Sequence, residues 1–92
     1  MKSYYTYLLT SRKRTVLYCG ITNNLQRRLN EHRNGQSIFS GRYHVHHLVW
    51  FQEFSNPLDA IAMEKHIKKM SRAQKETLIR TINPAWNFIG EE

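Results

Sequence analysis

Internal disulfides are excluded at once, because the chain of 92 residues holds a single cysteine, Cys19. One thiol closes no internal bridge and builds no thiolate metal cluster. Long apolar runs are missing too. The longest are a few residues, against the roughly 20 that a membrane-spanning helix needs. Tyr4–Leu9 is too short for the apolar part of a secretory signal, and no small-residue cleavage site follows it. The cytoplasm is therefore the expected compartment, and no membrane partner is expected. Acidic residues are the third shortage. The formal net charge is +7, and residues 1–46 hold eight Lys or Arg against one carboxylate, Glu31. Residues 47–92 hold six of each sign. All the excess positive charge thus lies in the first half, which suits an anionic partner, nucleic acid being the commonest. A merely soluble basic surface would carry the same signature.

What is present fits one small folded domain spanning 1–92. Hydrophobic residues are 40% and charged residues 23% of the chain, a balance of folded rather than disordered sequences. A domain of this size buries only about 60–65% of the surface of its unfolded chain. Its core is thin, so a polar residue on an apolar face needs an explanation. No repeat, linker or low-complexity tract occurs.

Tyr4–Thr10, rich in tyrosine, threonine and leucine, reads as a strand, Ser11–Thr15 as a hairpin loop and Val16–Thr22 as a second strand. Asn23 and Asn24 offer capping side chains, and 25–34 reads as a helix closed by Gly35. Residues 36–46 read as an exposed loop, and His47–Phe54 as a third strand. Asn56 caps a helix with Pro57 in its first position, running to about Met70. Ser71 with Gln74 forms a capping box for a third helix, which reaches about Ile82 and ends before Pro84. The order is β-β-α-β-α-α, a small α+β domain.

Four constellations could carry chemistry. Tyr7 and Tyr18 face each other across the hairpin if the turn centres on Arg12-Lys13; such a pair could equally only stabilise the sheet. On a wheel of about 100° per residue, Arg28 and His32 share the side that Leu25 and Leu29 bury, while Arg27 and Glu31 point away. A guanidinium there could bind a phosphate or snorkel at the edge of the face. Leu58, Ile61 and Ile67 mark the inward stripe of the second helix, and Glu64 falls within it. A carboxylate in that place needs an ion pair, with Arg28 or a lysine, or a cation such as Mg²⁺. Finally, His44 and His46 could share a strand face, but no acid or cysteine follows at zinc spacing, so a solvated basic loop is the expectation.

Together, Tyr5-Thr6-Tyr7, Tyr18-Cys19-Gly20, and Arg28 and His32 on the first helix resemble the GIY-YIG nuclease superfamily. The pattern is similar above all to its small single-domain bacterial members, related to the N-terminal domain of the bacterial excision-repair nuclease. The resemblance spans nearly the whole chain. It implies a three-stranded antiparallel sheet flanked by helices, with the active site between the hairpin tyrosines, the first helix and a metal-binding glutamate. Tyr7 and Tyr18 match the tyrosines of the two motifs, and Arg28 the family's arginine. His32 falls where members carry histidine or tyrosine, Glu64 matches the metal ligand, and Asn87 resembles an asparagine that closes the site. Departures are a first motif without its glycine and isoleucine, Cys19 in place of isoleucine, and Ile21 where the repair nuclease carries lysine.

The reaction so implied is in-line attack of water on a phosphodiester, with DNA as the expected polymer and one Mg²⁺ or Mn²⁺ held by Glu64. A tyrosine takes the proton, Arg28 steadies charge on the phosphate, and His32 positions water or helps move the proton. Which tyrosine is the base stays open. So small a surface leaves specificity to substrate structure or to a partner protein. Two rivals remain: a non-cleaving nucleic-acid-binding module of the same fold, and a protein-interaction domain using apolar residues near Trp50, Trp86 and Phe88.

Overall fold

The computed structural model describes residues 2–34 and 44–91. Gly35 and the first part of the expected loop, residues 36–43, lie outside the described residues. Three strands, β1 (Tyr4–Ser11), β2 (Leu17–Thr22) and β3 (Val45–Phe54), form an antiparallel sheet in the order β2-β1-β3. Helix α1 (Leu25–Arg33) follows β2, and α2 (Pro57–Lys68) and α3 (Arg72–Ile82) follow β3. The architecture is the α+β order β-β-α-β-α-α that the sequence predicts.

Local chemistry accounts for the element ends. Asn24 accepts a bond from the Arg27 amide at 3.0 Å and starts α1. Asn56 accepts from the Leu58 amide at 2.8 Å, with Pro57 opening α2. Ser71 and Gln74 make both bonds of a capping box at the start of α3. At the hairpin tip, the Ser11 hydroxyl accepts from the amides of Thr15 and Val16, and Arg14 adopts a left-handed φ of 60°. Arg72 of α3 donates to the carbonyls of Arg14 and Thr15 and ties this tip to the helix.

The hairpin register differs from the expected one. Tyr7 pairs with Gly20, and Tyr18 with Leu9, so the turn centres on Lys13-Arg14 rather than Arg12-Lys13. A displacement of two residues preserves the face that each side chain occupies, and the two tyrosines stay on one side. Strand β3 starts at Val45, two residues earlier than expected, because Val45 is buried and pairs with Ser11. Leu8 pairs with Trp50 and Leu9 with Leu48, which leaves Val49 as a bulge residue.

The sheet separates two cores. On one face Leu8, Cys19, Val49 and Trp50 pack with Ile67 of α2 and Ile79 of α3. On the other, Tyr7, Leu9, Val45 and Leu48 pack with Leu29 of α1. Trp50 is buried, and Trp86 and Phe88 pack against the first cluster; they are core rather than an exposed apolar surface. The inward stripe of α2 also differs from the reading by residue size. Leu58 is 70% exposed, whereas Ala60 and Ile67 are buried. A small side chain lets α2 approach β1 so closely that the Thr6 hydroxyl donates to the Ala60 carbonyl at 2.8 Å. Glu64 therefore stands on the flank of the buried stripe, not at its centre.

Beyond α3 the chain closes over β3. Buried Asn83 donates to the Val49 carbonyl at 2.9 Å, and the Ile89 amide to the Leu48 carbonyl at 2.8 Å.

Candidate active site

Tyr7 is the centre of a buried polar cluster. Its hydroxyl lies 3.1 Å from His32 Nε2 and accepts from Arg28 Nε at 3.3 Å. The sequence positions this ring through Gly20, its partner on β2. A Cβ at Gly20 would stand 2.5 Å from the Tyr7 hydroxyl oxygen and 2.6 Å from Cζ. Only glycine leaves room for the tyrosine to lie across β2 toward α1. The Tyr18 ring sits beside it, 6.4 Å from Tyr7 and 5.3 Å from His32 between centroids. The structure thus brings together Tyr7, Tyr18, Arg28 and His32.

The electrostatics of the four differ. Tyr7 is nearly fully buried, and that burial pushes its hydroxyl up to about 12, opposed by the hydrogen bond from Arg28. His32 is buried as well, and burial together with the Arg28 charge brings its imidazole down to about 4. It is neutral at pH 7. Among the described residues its Nδ1 has no hydrogen-bond partner, an uncommon condition for a buried nitrogen. Burial works against the Arg28 charge, but its bonds to Tyr7, Glu31 and Tyr18 outweigh that and hold its pKa above the ordinary value. The carboxylate partner of Arg28 is Glu31, at 3.0 Å. Glu31 does not point away as the wheel suggests; its side chain is 33% exposed and turns back along α1.

Glu64 is placed differently. It stands on α2, which packs on the opposite face of the sheet, and its ion pair is with Lys68 at 3.4 Å. Its carboxylate reaches toward β2: burial raises the Cys19 thiol to about 11, and the Glu64 charge adds to that shift while Lys68 and Lys75 oppose it. Among the described residues β2 is an edge strand, and Tyr18, on it, faces the cluster side while Glu64 approaches it from the side of α2. Among the described residues no three His, Cys, Asp or Glu side chains gather as a metal cluster. A single half-buried carboxylate fits a hydrated hard dication whose other ligands are waters and substrate phosphate. It does not fit a metal held by protein ligands alone.

The other expected groups lie elsewhere. Asn87 is exposed beside β3, at the opposite edge of the sheet, and its backbone amide donates to Asn83 Oδ1 at 2.9 Å. It does not join the cluster, because the chain between α3 and Ile89 is held to β3. The histidine run is not a solvated loop. His46 Nδ1 donates to the His32 carbonyl at 2.9 Å, and His47 stacks on Phe88 at 4.0 Å and pairs with Glu91 at 2.8 Å. His44, with φ 54°, precedes the strand, and its ring meets that of His46 edge-on at 6.1 Å between centroids. Sequence reasoning missed two participants: Gly20 as the space for Tyr7 and Glu31 as the partner of Arg28. Of the two ion-pair partners expected for Glu64, the structure has the lysine, Lys68 at i,i+4, and not Arg28.

This fold and cluster define a GIY-YIG catalytic domain. The family description of that name matches residues 3–77, and the chain belongs to this family. A UPF0213 protein of Clostridium perfringens is 42% identical over 77 residues, covering 82% of this chain and 81% of its own. A UPF0213 protein of Limosilactobacillus reuteri is 33% identical over 81 residues, covering 85% and 83%. The solution NMR structure of a UPF0213 protein from Bacillus halodurans superposes with a TM-score of 0.59 at 27% identity, covering 91% of this chain and 89% of that one. Family membership points to a nuclease-type function on nucleic acid. Among the described residues no helix is long and apolar enough to cross a membrane.

Proposed function

We propose that this chain is a metal-dependent endonuclease domain that hydrolyses phosphodiester bonds of nucleic acid, with DNA as substrate. The observation that carries this reading is the Arg28–Tyr7–His32 hydrogen-bonded cluster with Tyr18 beside it. Such a network is costly in the core of a small domain unless its polar groups have work to do.

The two tyrosines divide the labour. Tyr7, buried and held as a neutral phenol, is a positioning residue that fixes Arg28. Tyr18 is half-buried, so a water molecule can reach it; its oxygen takes that water's proton and gives up its own to solvent as the water oxygen attacks phosphorus and the P–O bond to the leaving sugar oxygen breaks. Arg28 stabilises charge on the phosphate oxygens, an effect that is strong where water is excluded. His32 supports Tyr7 from behind. Glu64 would hold one Mg²⁺ or Mn²⁺, which when bound supplies positive charge at the scissile phosphate.

The test incubates the purified protein with supercoiled plasmid, single-stranded DNA, a branched duplex and RNA. Each is given Mg²⁺, Mn²⁺ or chelator, beside Glu64→Ala and Arg28→Ala. Expected is metal-dependent product, reduced on the order of 10²–10³-fold in both variants. Cutting at the wild-type rate by both variants would sink the assignment. The second reading, binding without cleavage, is favoured by one observation, the exposed Ile21 where the repair nuclease carries a lysine. Salt-dependent binding with no product under any metal would establish it.

A further inference from the structure

At the end of β2, immediately beyond Gly20, a small cavity of about 220 Å³ opens between the sheet and the start of α2. Its walls are Tyr4, Ile21, Pro57, Ala60 and Ile61, and Thr22 and Asn23 stand on its rim. The walls are apolar but open to solvent: Ile21 is 36% exposed, and Tyr4 and Ile61 are half-buried. The place is unusual for such a surface. Ile21 follows Gly20 directly on β2, and Ile61 lies three residues before Glu64 on α2, so each wall adjoins a candidate catalytic group in sequence.

A surface that only tracks a phosphate backbone calls for cations. An isoleucine at this edge, with a tyrosine ring and an amide beside it, instead suits the flat apolar face of a base and the hydrogen-bonding groups at its rim. Base stacking on aromatic side chains tolerates any sequence, because every base has a π-face. Inside a duplex that face is covered by its neighbours, so only an unstacked nucleotide could enter.

We infer that this cavity is a nucleobase subsite: it takes one unpaired base next to the phosphate bound by Arg28. The inference rests on the nuclease reading of that edge and sharpens it, since it makes single-stranded or locally unpaired nucleic acid the substrate class. Tyr4 stacks on the base, Ile21 and Ile61 hold it from the sides, and Asn23 offers donor and acceptor to its edge.

The test is a binding measurement that needs no cleavage. Fluorescence anisotropy compares a labelled oligothymidylate with an abasic oligomer of equal length, which keeps the phosphates and removes the bases. The wild-type chain is expected to bind the oligothymidylate roughly 5- to 100-fold more tightly. Ile61→Trp, which fills the cavity, and Ile21→Lys, which replaces a wall by a cation, should each lose most of that preference. Both should still bind the abasic oligomer at least as well as wild type does. Ile21 and Ile61 are only partly buried, so folding is checked by circular dichroism, and either variant alone suffices. Equal binding of the two oligomers by the wild type overturns the subsite and leaves the nuclease reading standing. A preference that survives in a folded variant overturns it as well. Failure to bind either oligomer at any salt concentration overturns the nucleic-acid reading of the edge, and the subsite with it.

Discussion

The two faces of the sheet are built on different terms. Toward α2 and α3 the core is Leu8, Val49, Trp50, Ile67 and Ile79, all apolar. Toward α1, the most buried positions include a tyrosine and a histidine bonded to each other, the tyrosine also accepting from an arginine. The first face is what a thin core needs to hold a domain of 92 residues together. The second spends part of that scarce interior on polar groups, down to an imidazole nitrogen without a partner among the described residues. Stability resides on one side and the candidate chemistry on the other, with Glu64 reaching the shared β2 edge from the stabilising side.

That contrast can be broken by substitution. Ile67→Ala removes a fully buried side chain from the apolar face and should cost about 2–5 kcal/mol in denaturant unfolding. A change under about 1 kcal/mol would mean that α2 is loosely packed. His32→Leu, by contrast, should leave stability at neutral pH unchanged or raised, because it removes a poorly satisfied buried polar group; cutting should fall, since Tyr7 loses its support.

Titration sharpens the comparison. The unfolded chain protonates His32 near pH 6.5, whereas the folded chain does so only near about 4. Between those values the unfolded state binds the extra proton, so stability falls as pH drops through that window. The loss should reach about 3.5 kcal/mol at most, taking about 1.4 kcal/mol per unit. It should be absent in His32→Leu. Parallel pH profiles for the two proteins would show that the imidazole is not the group responsible.

Gly20→Ala comes next. Its Cβ would collide with the Tyr7 ring, costing about 1–3 kcal/mol and displacing the tyrosine. Near-UV circular dichroism should report a changed tyrosine environment, and an unaltered spectrum would mean that the ring has room. The smallest effect is expected at Ser71→Ala, about 1 kcal/mol from the lost cap of α3, with no change in cutting. An effect on cutting would tie α3 to the site more closely than its hydrogen bonds suggest.

What the sequence made legible follows from the range of the forces involved. The starts of all three helices were readable because a capping side chain and the amide it serves lie within three residues of each other. The gathering of Arg28 and His32 on the side of Leu29 was readable because helical periodicity fixes it. The hairpin register was not, because it depends on which residue turns left-handed, and an arginine gives no sign that it will. Neither was the bulge at Val49, which exists only in relation to β1. Leu58 was misplaced because size suggested burial, while closeness of approach to Thr6 selected Ala60. Glu31, His46 and Asn87 were misread for a common reason: what each one touches is settled by partners that only the folded chain brings near.

The segment beyond α3 has one more consequence. Asn83 and Ile89 occupy carbonyls of β3, whereas among the described residues β2 pairs with β1 alone. An edge strand is a template for another strand, and among the described residues growth of the sheet is left to the β2 side. A strand added along β2 would cross Tyr18, Cys19 and Ile21, so lengthening the sheet and leaving its edge free for nucleic acid are mutually exclusive states of the same molecule.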